Sequence, residues 1–219
     1  MRILTLGGKI LTAYLREDGH EVFALGPSGT VQHPQDRETD FFRSPETARA
    51  EFHSLCESFR PDWIIQVDDS TPLAFMGLEN LRIPKAWYAV DTHIHRDWHR
   101  HYASVFDMVF CAQKKHVPDL GAFQAHVEWL PVYFNDEPAF LPWGAREHDA
   151  SFVGTIDIGL NPARVKLLEG MKDRGLPITV IPGGPGPAYR NSRVVINQSA
   201  KDDLNFRFFE AIGYGALLV

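Results

Sequence analysis

"RILTLGGKILTAYLREDGHEVFAL", residues 2–25, reads as a strand, a helix and a second strand. The runs "RILTL" (2–6) and "EVFAL" (21–25) are apolar and rich in branched side chains, as strands covered on both faces are. Between them Ile10 to Asp18 has a helical pattern, closed by Gly19. A strand that returns parallel to its predecessor through a helix implies a right-handed crossover and an α/β sheet. The unit then repeats. "DWIIQV" (62–67), "AWYAV" (86–90), "MVFCA" (108–112) and "HVEWL" (126–130) are further strand candidates, and a second helix opens with Ser44 as cap followed by Pro45.

At "LPVYFNDEPAFLPWGAREHD", residues 130–149, the texture changes: Pro131, Pro138 and Pro142 interrupt any steady period, as in a linker. Alternation then restarts. "SFVGTI" (151–156), a helix opened by Asn161 and Pro162, the strand "ITVI" (178–181), the loop "PGGPGP" (182–187), the strand "RVVIN" (193–197), a helix near "DLNFRFFEAIG" (203–213) and the strand "ALLV" (216–219) follow in order. The expectation is two Rossmann-like lobes, 1–130 and 150–219, joined by a linker over 131–149. The second lobe has few strands and its last one begins at Ala216, so the natural protein is expected to continue past Val219; a complete chain with a small second lobe is the alternative.

Composition narrows the function classes. The 219 residues carry a net charge of −6, which argues against a broad surface for nucleic acid or anionic lipid. No stretch approaches membrane-spanning length and the N-terminus lacks the pattern of a signal peptide. Cys56 and Cys111 both lie in apolar runs and read as reduced thiols of a cytoplasmic protein.

Two lobes of this kind hold ligands near the C-terminal ends of their strands, in a cleft. In the second lobe Asp202 and Asp203 precede a helix that contains Asn205, Arg207 and Glu210. A helix N-terminus following a strand offers free N–H groups to a phosphate. Arg207 can add a forked contact to the same anion, and Glu210, nearly a turn on, can accept from ribose hydroxyls. A plain amphipathic helix, packing Phe206, Phe208 and Phe209 in the core, explains the same pattern without a ligand. In the first lobe, Gly7 and Gly8 after the opening strand either let a ligand approach the backbone or form a tight turn.

"VDTHIHRDWHRHY" (90–102) concentrates His93, His95, His99 and His101. Asp91, His93 and His95 alternate as ligands at a strand end would, whereas His95 and His99 share a helix face. "DTHIH" looks like the His-x-His motif of amidohydrolases, which makes a metal-dependent hydrolase one reading. In those barrels, however, the motif belongs to the first strand, and here about three precede it. Asp68 and Asp69, at the end of the neighbouring strand, are the outside carboxylates that could complete a metal site; the favoured reading is that they orient this loop or a histidine. His99 and His101 read as a polar helix face, with Trp98 and Tyr102 packed inward.

These segments carry a resemblance. "LNFRFFEAIGYGALLV" (204–219) resembles the donor-site segment of GT-B glycosyltransferases, in which an acidic residue is followed, after seven others, by a Glu; here the pair is Asp202 and Glu210. "WYAVDTHIHRDWHRHYASVFDMVFCAQK" (87–114) and "FVGTIDIGLNPARVKLLEGM" (152–171) are similar to the bacterial CgeB-like glycosyltransferase family. The resemblance implies a metal-independent enzyme without cofactor that moves a sugar from a nucleotide-diphosphate donor to the hydroxyl of an unidentified acceptor. It implies Glu210 as ribose acceptor, Asp202 and Asn205 near the donor sugar or its phosphate, and Arg207 facing the diphosphate, with backbone donors at Gly154 and Thr155. Asp91, His93 and His95 become the acceptor-side base candidates. Gly7, Gly8, Asp68 and Asp69 lie on the same side. Asp202 departs from the Glu of many relatives by one methylene. A sugar-nucleotide-binding module without catalysis is the remaining alternative.

Overall fold

The computed structural model describes residues 1–26, 37–38, 45–68, 77–134, 140–159, 161–181, 185–199 and 204–219. The chain divides into two compact units, Met1–Pro131 and Val132–Val219. Ser44, Asp69, Asp202 and Asp203 lie outside the described residues.

The first unit is a parallel sheet. Its strands are β1 (Arg2–Leu6), β2 (Glu21–Gly26), β3 (Arg37–Glu38), β4 (Trp63–Val67), β5 (Lys85–Ala89), β6 (Met108–Cys111) and β7 (Val127–Trp129). Helices α1 (Lys9–Glu17), α2 (Pro45–Phe59), α3 (Thr92–Tyr102) and α4 (Val117–Gly121) connect them. The order in the sheet is β3-β2-β1-β4-β5-β6-β7, with every adjacent pair parallel. The chain therefore builds outward from β1 in one direction and then, from β4, in the other. The switch point lies between β1 and β4, where Ile3 pairs with Trp63 and Leu6 with Gln66. Because helices cover both faces, the central strands carry buried apolar residues almost without alternation: Ile3, Leu4 and Leu6 on β1, and Ala86, Trp87, Tyr88 and Ala89 on β5.

The second unit repeats the plan on a smaller scale: β8 (His148–Val153), α5 (Pro162–Asp173), β9 (Ile178–Ile181), α6 (Pro185–Arg190), β10 (Ser192–Val195), α7 (Phe206–Gly213) and β11 (Leu217–Leu218). Its parallel sheet runs β11-β10-β8-β9, so its switch point lies between β8 and β10. Consecutive residues of β8 face opposite sides. Phe152 packs with Leu168 and Ile196, whereas Val153 packs with Tyr189, Val195, Ala211 and Tyr214.

Two expectations change. The run "PGGPGP", read as a loop, contributes the start of α6 at Pro185, where a proline at the first helical position gives up an N–H that had no intrahelical partner. Asp91, His93 and His95 do not alternate on a strand: β5 ends at Ala89, Asp91 sits at the N-cap position, and both histidines are in α3. The helical period sends the two imidazoles in different directions, His93 buried and His95 half-buried. A backbone break at His95 (φ −109°, ψ 19°) increases the divergence.

Candidate functional site

In the second unit, two helices start beside the switch point and each brings an arginine in its first turn. α5 is capped by Asn161, whose side chain accepts from the Arg164 N–H at 3.1 Å, and α7 by Asn205, whose Oδ1 accepts from the Phe208 N–H at 3.2 Å. Neither first turn holds an acidic residue. A cation there opposes the helix macrodipole, so the placement of Arg164 and Arg207 works against helix stability.

Both guanidiniums tie the ends of β8 and β10 together. Arg207 donates through Nε and Nη2 to the Val153 carbonyl at 3.1 and 2.8 Å, and through Nη1 to Asn197 Oδ1 at 3.1 Å. Arg164 donates to the Thr155 carbonyl at 2.8 Å and to the Gln198 carbonyl at 3.1 Å. Both guanidiniums also lie against the Phe152 ring, 5.1 Å (Arg164) and 4.8 Å (Arg207) from its centroid. Among the described residues no carboxylate forms an ion pair with either arginine. Burial pulls the Arg164 guanidinium below its ordinary pKa, and the positive charge of Arg207 adds to the shift. Two like charges are thus held at one switch point, with no carboxylate ion-paired to either among the described residues.

The neighbouring expected residues find defined places. Gly154 has φ 142°, a backbone conformation that favours glycine, and a Cβ on it would lie 2.7 Å from Arg207 Nη2 and so displace the guanidinium. Thr155 is exposed and offers its carbonyl to Arg164. Asn205 also donates to Asn197 Oδ1 at 3.2 Å, which links the α7 cap to the end of β10. Glu210 is half-buried on α7. Nearby, the Tyr189 phenol is pushed up to about 12 by burial, an effect that the Arg207 charge offsets and Glu210 reinforces. Phe206, Phe208 and Phe209 are half-buried rather than sealed in the core.

In the first unit the residues expected on the acceptor side lie beyond the C-terminal ends of β1, β4 and β5. Gly7 and Gly8 follow β1 with φ of 73° and 69°. A Cβ at Gly8 would meet the Val67 side chain at 2.5 Å, so close packing at the switch point accounts for glycine there. Asp68 is buried after β4, and its Oδ2 accepts the Asp91 N–H at 3.1 Å. His99, expected on a polar face, is instead fully buried against Trp87, with ring centroids 4.7 Å apart; His101 is exposed and edges against Phe123. Burial lowers the His99 pKa to about 3, with the charges of His95 and His93 adding, so the imidazole is neutral near pH 7. Both cysteines are free and buried, and burial pushes the Cys56 thiol up to about 11. Among the described residues no three His, Cys, Asp or Glu side chains come together in a group suited to a metal ion. Nor is any helix there long and apolar enough to cross a membrane.

No protein-family profile matches the sequence, and no curated protein does. Solved structures do match. The MnaA protein of S. aureus, solved with UDP, superposes at a TM-score of 0.60 with 12% identity, covering 99% of this chain and 78% of that one. UDP-GlcNAc 2-epimerase from Neisseria meningitidis, bound to UDP-GlcNAc, gives 0.56 at 9% identity over 91% and 78%. The fold is of the GT-B type. The spinosyn rhamnosyltransferase SpnG, complexed with thymidine diphosphate, gives 0.52 at 16% identity over 90% and 75%. At such identities the likeness is one of architecture.

Sequence reading did not single out Arg164, Asn197, Gln198 or Tyr189. A signal for Arg164 existed: a cation in the first turn of a well-capped helix is a placement that local energetics disfavours. Asn197 and Gln198 became visible only once β10 was known to lie next to β8 rather than next to β9.

Proposed function

We propose that this protein is a glycosyltransferase of the CgeB-like kind, which takes a sugar from a nucleotide-diphosphate donor and passes it to an acceptor hydroxyl without a metal or cofactor. The observation that carries the reading is the pair Arg164 and Arg207, which stand at the β8/β10 switch point with no carboxylate ion-paired to them among the described residues. A diphosphate is the ligand whose charge suits two guanidiniums beside two helix N-termini. Glu210 accepts from the ribose hydroxyls, and the N–H groups around Gly154 and Thr155 serve the phosphates. Asp202 and Asn205 stand near the donor sugar. The order and spacing of the motifs along both units support the narrower kinship.

The chemistry follows from charge. As the bond from the sugar carbon to the diphosphate oxygen breaks, the ring becomes positive and the leaving group gains negative charge; guanidiniums fixed beforehand stabilise that state more than the ground state. The acceptor oxygen bonds to the same carbon and its proton passes to a base. Asp91, His93 and His95 are the candidates, and Asp91 and His95 keep the solvent-facing surface that His93 lacks. The amidohydrolase reading loses its geometric basis, because His93 and His95 diverge on a helix and the sheet is open rather than a barrel.

The test is turnover. The protein is incubated with a panel of nucleotide sugars after exhaustive chelation, and release of the nucleoside diphosphate is followed. Retained activity, with Asp91→Asn or His95→Ala lowering turnover far more than donor affinity, is the expected result. Activity that vanishes on chelation and returns with a stoichiometric transition metal would replace this reading with the hydrolase. Donor binding with no turnover would favour the binding module.

A further inference from the structure

The first unit buries several polar side chains near the C-terminal ends of β4, β5 and β6. Asp68, Thr92, His99 and Gln113 are all buried, in contact with or adjacent to the start of α3. Burying such groups is costly unless each finds a partner, so their arrangement has to be consistent donor by donor.

His99 Nδ1 lies 3.1 Å from Thr92 Oγ1, and His99 Nε2 lies 3.6 Å from Asp68 Oδ2, the same oxygen that accepts the Asp91 N–H. The neutral imidazole has one donor and one acceptor. If Nδ1 carried the proton, the Nε2 lone pair would face a carboxylate oxygen in a pocket closed to water, a repulsive contact in low dielectric. With the proton on Nε2, the N–H points toward Asp68 and Nδ1 accepts the Thr92 hydroxyl. The Cys111 thiol, 3.2 Å from the Gln113 carbonyl, has that acceptor for its own proton. Two of the three contacts are hydrogen bonds, Thr92 O–H to His99 Nδ1 and Asp91 N–H to Asp68, while His99 Nε2–H faces Asp68 Oδ2 electrostatically across 3.6 Å, beyond hydrogen-bond length.

The geometry assigns Asp68 and His99 as positioning residues of the acceptor side: a buried Thr92–His99–Asp68–Asp91 chain, with His99 as the Nε2–H tautomer, sets where α3 starts and so where Asp91 and His95 stand. The assignment of those two as acceptor-side groups rests on the proposed function; the chain itself does not. Groups facing His99 are His93 and His95 from its own helix and Asp68 from the end of β4, with Trp87 of β5 and Trp98 packed on its ring. His99 touches neither solvent nor, on this account, the acceptor, since it is fully buried.

The experiment is heteronuclear NMR on the 15N-labelled chain. Long-range proton–nitrogen correlations should identify His99 in the wild type as the neutral Nε2–H tautomer between pH 6 and 8. Asp68→Ala removes the oxygen that both the Asp91 N–H and His99 Nε2–H face, and should convert His99 to the Nδ1–H tautomer, donating to Thr92 Oγ1. The same variant should speed exchange of the Asp91 amide about tenfold relative to the Ile64 and Tyr88 amides. In turnover, Asp68→Ala should lower kcat about tenfold while donor KM stays unchanged. An Nδ1–H tautomer in the wild type overturns the proposal without any variant being needed. So does an Asp91 amide that exchanges in step with those of β4 and β5. If instead the tautomer and exchange results hold while Asp91→Asn turns over normally, the buried chain stands and the acceptor-side reading of Asp91 falls.

Discussion

At Arg207 a single side chain has two tasks that its substitutions separate. It cross-ties the Val153 carbonyl to Asn197, and it presents positive charge at the switch point. Arg207→Ala removes both and should weaken nucleoside diphosphate binding by about 1.5–3 kcal/mol, the scale of hydrogen bonds to charged groups. Arg207→Lys keeps the charge and loses the fork, so it should recover part of the affinity but not the cross-tie, measured as an unchanged loss in thermal stability. Glu210→Ala should weaken ribose-bearing ligands and spare pyrophosphate; equal losses for both would remove the ribose assignment. Gly154 is the residue where backbone and site meet. With φ 142° and Arg207 Nη2 2.7 Å from the added Cβ, Gly154→Ala should cost about 1–3 kcal/mol in urea unfolding and impair diphosphate binding together.

At the scale of elements, helix starts carry the site. Asn205 caps α7 and also bonds Asn197, so Asn205→Ala should lower stability by about 0.5–2 kcal/mol, and a double-mutant cycle with Asn197→Ala should show coupling. Additive losses in that cycle would mean that the cap and the β10 end act independently. The same starts show what was readable beforehand. Asn161 followed by Pro162 announces α5, and the apolar runs place β1 and β9 to the residue, because cap chemistry and hydrophobic period are local. What is not local was missed. Strand order is set by crossover topology, so the approach of Asn197 to Arg207 has no signature in either segment. His99 looked polar and proved fully buried because α3 turns it toward Trp87, and the break at His95 disturbs the period from which facing is inferred. Gly8 was readable as a glycine that matters, but its reason, Val67 across the switch point, required the sheet.

For the whole molecule, the acid limb of stability should carry the mark of His99. Its pKa is about 3 in the folded chain against an ordinary 6.5, so between those values the unfolded state binds the extra proton. The contribution is therefore complete above pH 6.5 and lost as pH falls toward 3, with a slope of up to about 1.4 kcal/mol per pH unit for one proton. Urea midpoints should fall from pH 7 to pH 5 in the wild type and fall less steeply in His99→Gln; parallel slopes would contradict a buried neutral imidazole. Asp119, held down to about 2 by Arg96 and then His116, adds its own loss only below its ordinary 3.8, so between pH 6.5 and 3.8 the slope reports His99 without it.

The central claim is that the second unit's switch point is a diphosphate site, and titration calorimetry with UDP and TDP tests it most directly. The wild-type chain should bind at least one of them with one site per chain, and affinity should fall as salt rises, since the contact is between charges. Arg164→Met with Arg207→Met should lose that binding while circular dichroism shows a retained fold. Unchanged nucleotide affinity in the folded double variant would contradict the account.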